Sequence, residues 1–257
     1  MGNNSSIYEL VERTLMKFYY NDYLYTQRTS TSKILCFDKN DNLLTKYNDI
    51  KDLPSEIYYE YLNVKNMEEY PEKVFGYTEN FNDSITINSV SKNTQNLIIP
   101  ESIEGKAVTD INYELNLDNI RYIKLPSKFR KYPESIFSNC KNLYEVYISD
   151  GTCVIDNGSF ALKKNLKKVH LPKNIDIIPS SCFFGCENLT DINLENVKEI
   201  QSNAFCKCTN LKNIKLSDKL KLVDFKAFYK SNVRLSESLP ETTKIGKFAF
   251  DVNEIER

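Results

Sequence analysis

Phenylalanine recurs at Phe137, Phe160, Phe183, Phe205, Phe228 and Phe250, in steps of 23, 23, 22, 23 and 22 residues. Three more apolar series keep the same step: Ile120, Leu143, Leu166, Leu189 and Leu211; Ile123, Val146, Val169, Ile192 and Ile214; and Ile155, Ile178, Ile200, Val223 and Ile245. Four apolar ladders in one period constrain the fold more than any other property of the chain. A unit of this length is too short to close a core of its own, so it must bury its apolar edges against copies of itself. The period therefore predicts a solenoid with one coil per repeat.

Within a coil, runs such as Asn165-Leu166-Lys167-Lys168-Val169-His170-Leu171-Pro172 alternate apolar and polar positions, as a short strand with one inward face does. Pro126 and Pro172 end such strands. The pairs Ala204-Phe205, Ala227-Phe228 and Ala249-Phe250 bring each ring against that of the neighbouring coil. If Ile123, Val146, Val169, Ile192 and Ile214 face inward, the residues on either side of each face outward. These are Tyr122 and Lys124, Glu145 and Tyr147, Lys168 and His170, Asp191 and Asn193, and Asn213 and Lys215. They are expected to line the concave sheet and form the partner-binding surface. Aromatics mixed with both charge signs suit a protein partner.

The run Ile200-Gln-Ser-Asn-Ala204-Phe205-Cys-Lys-Cys208-Thr-Asn-Leu211-Lys-Asn-Ile214-Lys-Leu216 resembles the repeat of the BspA-type, or Treponema-type, leucine-rich-repeat proteins. Leu97 to Ile111 looks like that family's usual lead-in segment. The resemblance covers about residues 83–257. It departs from the pattern at Lys163, where Cys is expected, and near Val233, where one residue is missing. It implies a leucine-rich-repeat solenoid with short parallel strands. Many family members are secreted and adhere at cell surfaces.

Residues 1–82 show no repeat, and the reading there is a small α/β N-terminal domain. A Ser6–Glu9 capping box and the stripe Ile7, Leu10, Val11, Thr14, Leu15 and Phe18 predict a first helix. Lys33–Phe37 and Leu43–Tyr47 flank an Asp/Asn-rich turn and predict a hairpin. Pro54 opens a second helix running to about Met67. This unit is either a cap on the solenoid or an independent binding or oligomerising domain. The fold class is thus α/β.

The remaining chemistry is sparse. Net charge is −1, divided as 9 basic against 14 acidic residues over 1–84 and 25 against 21 over 85–257. That asymmetry can orient a partner without naming one. The single histidine, His170, has no nucleophile in register, and seven glycines form no phosphate-cradling loop, so no catalysis is expected. Cys182, Cys186, Cys206 and Cys208 could hold zinc. However, Cys140, Cys186 and Cys208 share one repeat position, which reads as a buried ladder, and neither metal nor cofactor is expected. Seven cysteines and no apolar signal segment point to a reducing cytoplasm, that of a host cell if the chain is viral. Met1-Gly2-Asn3-Asn4-Ser5-Ser6 fits an N-myristoylation acceptor or a plain lead into the helix; no membrane partner is expected. Lys163, Lys164, Lys167, Lys168 and Lys173, with Lys207, Lys212, Lys215, Lys219 and Lys221, form a solvated face, a site for an acidic protein, or an RNA-binding strip. The functional expectation is a protein-binding scaffold or inhibitor, with an RNA or nucleoprotein binder as the alternative.

Overall fold

The computed structural model describes residues 14–21, 23–28, 33–38, 42–55, 57, 61–62, 64–65, 67, 71–90, 94–112, 114–129, 134–151, 155–235 and 238–250. Between residues 96 and 250 the described chain winds as a solenoid. Strands β7 (Asn96–Ile98), β10 (Tyr122–Leu125), β11 (Glu145–Ile148), β12 (Lys168–His170) and β14 (Asp191–Ile192) form one parallel sheet, one strand per coil. Leu97, Ile123, Val146, Val169 and Ile192 are in register across it, and all are buried. The next two coils continue with β16 (Asn213–Ile214) and β18 (Arg234–Leu235). A second parallel sheet contains β13 (Ile177–Ile178), β15 (Glu199–Ile200), β17 (Leu222–Val223) and β19 (Lys244–Ile245), which carry the fourth apolar series.

The phenylalanine ladder fills the space between the sheets. Phe160, Phe183, Phe205, Phe228 and Phe250 stack nearly parallel, with ring centroids 5.1–5.2 Å apart, and Phe137 meets Phe160 at 4.3 Å. Offset stacking at this spacing adds to the burial of each ring.

The backbone around each phenylalanine solves a separate problem. Two residues before the ring, Gly158, Ser181, Asn203, Lys226 and Phe248 have positive φ; two residues after it, Leu162, Gly185, Lys207 and Lys230 do as well. Between these left-handed residues, which lie four apart, alternate N–H groups face the same side. Gly158, Phe160 and Leu162 thus donate to the carbonyls of Ser180, Cys182 and Phe184 in the next coil, and the same pattern repeats at Ser181, Phe183 and Gly185. Gly185 is further constrained because a Cβ there would lie 2.9 Å from Leu162 Cδ2. Side chains seal the coils as well. Cys186 Sγ donates to Phe160 O and Cys208 Sγ to Phe183 O, each at 3.0 Å. Where the cysteine is absent, Lys163 Nζ reaches Ser138 O at 3.0 Å.

Before the solenoid lie two small sheets. β1 (Thr14–Tyr20), β2 (Tyr23–Arg28), β3 (Ile34–Phe37) and β4 (Leu43–Tyr47) form an antiparallel meander. The β3–β4 hairpin is the one expected from the sequence. Ser55, Ile57, Tyr61, Leu62, Val64, Lys65 and Met67 are helical, and Ile57, Tyr61, Val64 and Met67 pack in a core with Phe18, Tyr25 and Ile34. The helical stripe expected through Phe18 does not form at residues 14–20, which are strand. Ser6, Ile7, Glu9, Leu10 and Val11 lie outside the described residues. The cause is tertiary: Tyr20 pairs with Tyr23 across a two-residue turn at Asn21, whose φ is 53°, and this pairing fixes Lys17 to Tyr20 in extended form. The second sheet, β5 (Gly76–Glu79), β6 (Ser84–Ser89), β9 (Lys106–Ile111) and β8 (Ser102–Ile103), leads into the first coil. β5 pairs with β6 across residues 80–83, so this lead-in sheet begins at Gly76.

Candidate interaction surface

The outward side of the parallel sheet carries two rungs. Asn96, Tyr122, Glu145, Lys168 and Asp191 are in register on one, and Ile98, Lys124, Tyr147 and His170 on the other. The alternation read from the sequence therefore places the expected residues on one face. It does not leave all of them open. Tyr122, Glu145 and Lys168 are only 6 %, 1 % and 4 % exposed. Their expected exposure is corrected by a contact from the other end of the chain: strand β1 lies against this face.

Alternation within β1 makes that contact. Met16 and Phe18 enter the core of the N-terminal unit, while Lys17 and Tyr19 point the other way, onto the solenoid. Lys17 Nζ pairs with Glu145 Oε1 at 2.5 Å, and Tyr19 Oη donates to Glu145 Oε2 at 2.5 Å. The Asn96 side chain acts as a strand partner, accepting from Tyr19 N at 2.7 Å and donating to Tyr19 O at 2.8 Å. The Tyr19 ring packs on Tyr122 and Tyr144, with centroids 6.2 and 5.4 Å away. His170 Nε2 stands 3.2 Å from Glu145 Oε1 and its ring rests on Tyr147. Burial raises the cost of the Glu145 carboxylate, but Lys17 and His170 outweigh it and hold the acid well below the usual carboxylate range.

Beyond the docked strand the face opens. Lys124, Tyr147, His170, Asp191 and Asn193 are partly buried, while Asn213 and Lys215 are exposed. Burial first, and the charge of Glu195 second, push Asp191 up to about 6. Asn193 is held by its own sheet: Oδ1 accepts from Leu171 N at 2.7 Å and Nδ2 donates to Leu171 O at 2.9 Å. These bonds extend the ladder by side chain where β14 ends.

The residues missed in the sequence were Lys17, Tyr19, Asn21 and Asn96. Tyr-Tyr-Asn-Asp-Tyr, an Asn-led pair between aromatic runs, was the available hairpin signal at Tyr19–Tyr23. Also missed was the series Asn142, Asn165, Asn188, Asn210 and Asn232, of which Asn142 and Asn232 donate to Asp118 O and Thr209 O one coil back.

Cys140, Cys182, Cys186 and Cys208 are fully buried, and burial pushes the Cys140 and Cys186 thiols up to about 12. Among the described residues no group of three or more His, Cys, Asp or Glu is arranged to hold a metal ion. The protein is expected to carry no stoichiometric zinc by elemental analysis and to keep its melting temperature in chelator. A thiol reagent should reach these four cysteines only on unfolding, because the reactive form is the thiolate.

The family model described as the BspA type leucine rich repeat region matches six copies over residues 81–190 and 176–257. No curated protein sequence matches the chain. Among solved structures, a T. pallidum leucine-rich-repeat protein is similar at 26% identity and a TM-score of 0.58, over 69% of this chain and 86% of its own. A leucine rich cell surface protein from Faecalibacterium prausnitzii aligns at 22% identity and a TM-score of 0.44, over 68% of this chain and 44% of its own. The stacked coils, the phenylalanine ladder and this match over most of the sequence place the chain in the BspA-type leucine-rich-repeat family.

Proposed function

We propose that the protein is a non-enzymatic scaffold or inhibitor that binds a protein partner on the outward face of its parallel sheet. The N-terminal unit covers the first coils of that face. The observation that carries this reading is the rung Lys124–Tyr147–His170, beyond the edge of the docked strand, on a face whose later coils carry exposed Asn213 and Lys215. Aromatic contact area flanked by charges of both signs suits protein recognition, in which a few central aromatics dominate the energy. Repeat solenoids supply such extended faces in general.

The alternative, RNA, needs lysines free to neutralise phosphates. Several of the candidate lysines are otherwise engaged. Lys164 pairs with Glu187 at 2.9 Å, Lys173 stands 3.7 Å from Asp150, and Lys168 is buried. This favours the protein-partner reading.

Photo-crosslinking the full chain in an extract of its native cell tests the proposal. A photoreactive residue at Tyr147 or Lys215 is expected to yield one discrete protein adduct, and one at Lys173 none. Adducts to RNA, or equal labelling from all three positions, would overturn it. Tyr147→Ala should weaken binding by about 2 kcal/mol or more, read by titration of the partner so captured.

A further inference from the structure

On a different side of the solenoid, the turns around the phenylalanine ladder change character along the chain. In the earlier coils two of their surface rungs carry small residues: Asn157, Ser180 and Ser202 on one, Gly158, Ser181 and Asn203 on the next. In the last two coils the same rungs become Phe225 and Lys247, then Lys226 and Phe248. Phe225 and Phe248 are 39 % and 43 % exposed and meet edge to face at 6.4 Å. Lys226 Nζ lies over both Phe225 and Tyr229, at 5.0 and 5.2 Å; Lys230 lies over Tyr229 at 5.6 Å; Lys247 lies over Phe248 at 5.1 Å. Lys207, over Phe184 at 5.3 Å, extends the patch one coil back.

None of these four lysines forms an ion pair with a carboxylate among the described residues. Asp224 lies two residues from Lys226, but its carboxylate accepts from Ser202 Oγ at 2.6 Å and Phe225 N at 2.7 Å. A turn needs neither bulk nor charge at the two rungs that carry Phe225, Lys226, Lys247 and Phe248, as the preceding coils show, and Lys226 and Phe248 take left-handed φ that their residue types disfavour. Exposed rings and ammonium groups therefore gather here without a folding reason.

We propose that this face seats the solenoid on an anionic phospholipid surface. The side chains stand out from an open set of rungs; grooves form elsewhere, beside Leu216 and Leu239 and beside Gln95 and Arg121. A single-stranded nucleic acid is held in a basic groove with its bases on free ring faces, and here ammonium groups already lie over the rings. A bilayer surface needs the opposite arrangement. The rings enter the boundary between headgroups and acyl chains, while lysine stems lie along them and hold their charges at the phosphates.

The test is co-sedimentation of the full, unacylated chain with vesicles of phosphatidylcholine alone, or of phosphatidylcholine with phosphatidylserine. Binding to the second alone is expected, weakening as salt rises. Each lysine removed should lower affinity about fivefold, so Lys226→Asn with Lys230→Asn should lower it about 25-fold. Asn tolerates both left-handed positions. Phe225→Ser with Phe248→Asn installs the residues that the same rungs carry at Ser202 and Asn203, and should also reduce binding without lowering the melting temperature. Equal recovery with both vesicles, unchanged binding by both folded variants, or capture of a uridine oligonucleotide in place of vesicles would overturn the proposal.

Discussion

Phe183→Ala is expected to cost about 3–5 kcal/mol, the range for truncating a large, fully buried ring. Phe183 lies mid-ladder, stacked on Phe160 at 5.1 Å and on Phe205 at 5.2 Å, so its removal opens a void between two coils. The turns on either side cannot collapse into it, because their N–H groups are committed to the next coil. Since each coil is stabilised chiefly by its neighbours, the damage should spread from residue 183 in both directions. Lys173→Ala removes only an exposed ion pair and should change stability by less than about 0.5 kcal/mol. Denaturant melts of the two variants, with hydrogen exchange read coil by coil, provide the check. Equal shifts would mean that the ladder does not hold the coils together.

The second large effect is at the junction of the two units. Glu145→Ala should release strand β1 from the solenoid at a cost of about 3–5 kcal/mol, because it removes the buried carboxylate that Lys17 and Tyr19 both bind. The expected readout is protease cleavage near residues 14–28 in the variant while the solenoid stays intact. Acid should do the same to the native chain. Docking places Lys17 beside the Glu145 acid and so adds to what holds it below its ordinary value of 4.5; that share of its contribution is complete above that pH and is lost as pH falls toward the docked-state value. A Glu145→Gln chain should lose this pH dependence. A variant whose β1 stays as protected as in the native chain would show that Asn96 and the Tyr19 ring alone hold the strand. A double variant, Tyr122→Ala with Tyr147→Ala, would be a mixed probe: Tyr122 supports Tyr19, and only Tyr147 reports on the open face.

The two results differ in how far they were legible from sequence. The Phe183 stack could be read directly, because period and residue type suffice when every coil meets its own copy. The same holds for the buried cysteines. The β1 contact could not, since it joins residues 126–128 positions apart through Lys17, Tyr19 and Glu145 and leaves no local period. Around Phe18 the apolar spacing also fits a helix, and the choice of strand was made by pairing with β2. The open face was legible as a direction but not as an exposure: alternation tells which way Glu145 points, not what covers it. The patch at Phe225 and Phe248 was hidden for another reason. Lys226, Lys230 and Phe248 adopt left-handed backbone that sequence normally marks with Gly or Asn.

The hydrogen bonds between those turns also have an electrical consequence. The carbonyl of Cys182 accepts from Phe160, and the adjoining N–H of Phe183, in the same peptide unit, donates to Ala204; the chain continues through Phe205 to Ala227 and Phe228 to Ala249. Peptide dipoles in this column therefore align head to tail along the solenoid axis, as they do within an α-helix. Parallel columns start at Gly158 and Leu162. Their N–H ends all point toward the later coils, so the positive pole lies at the C-terminal side, opposite to the sense of a helix. That pole coincides with the coils that carry Lys226, Lys230 and Lys247, so backbone and side chains there present potential of one sign.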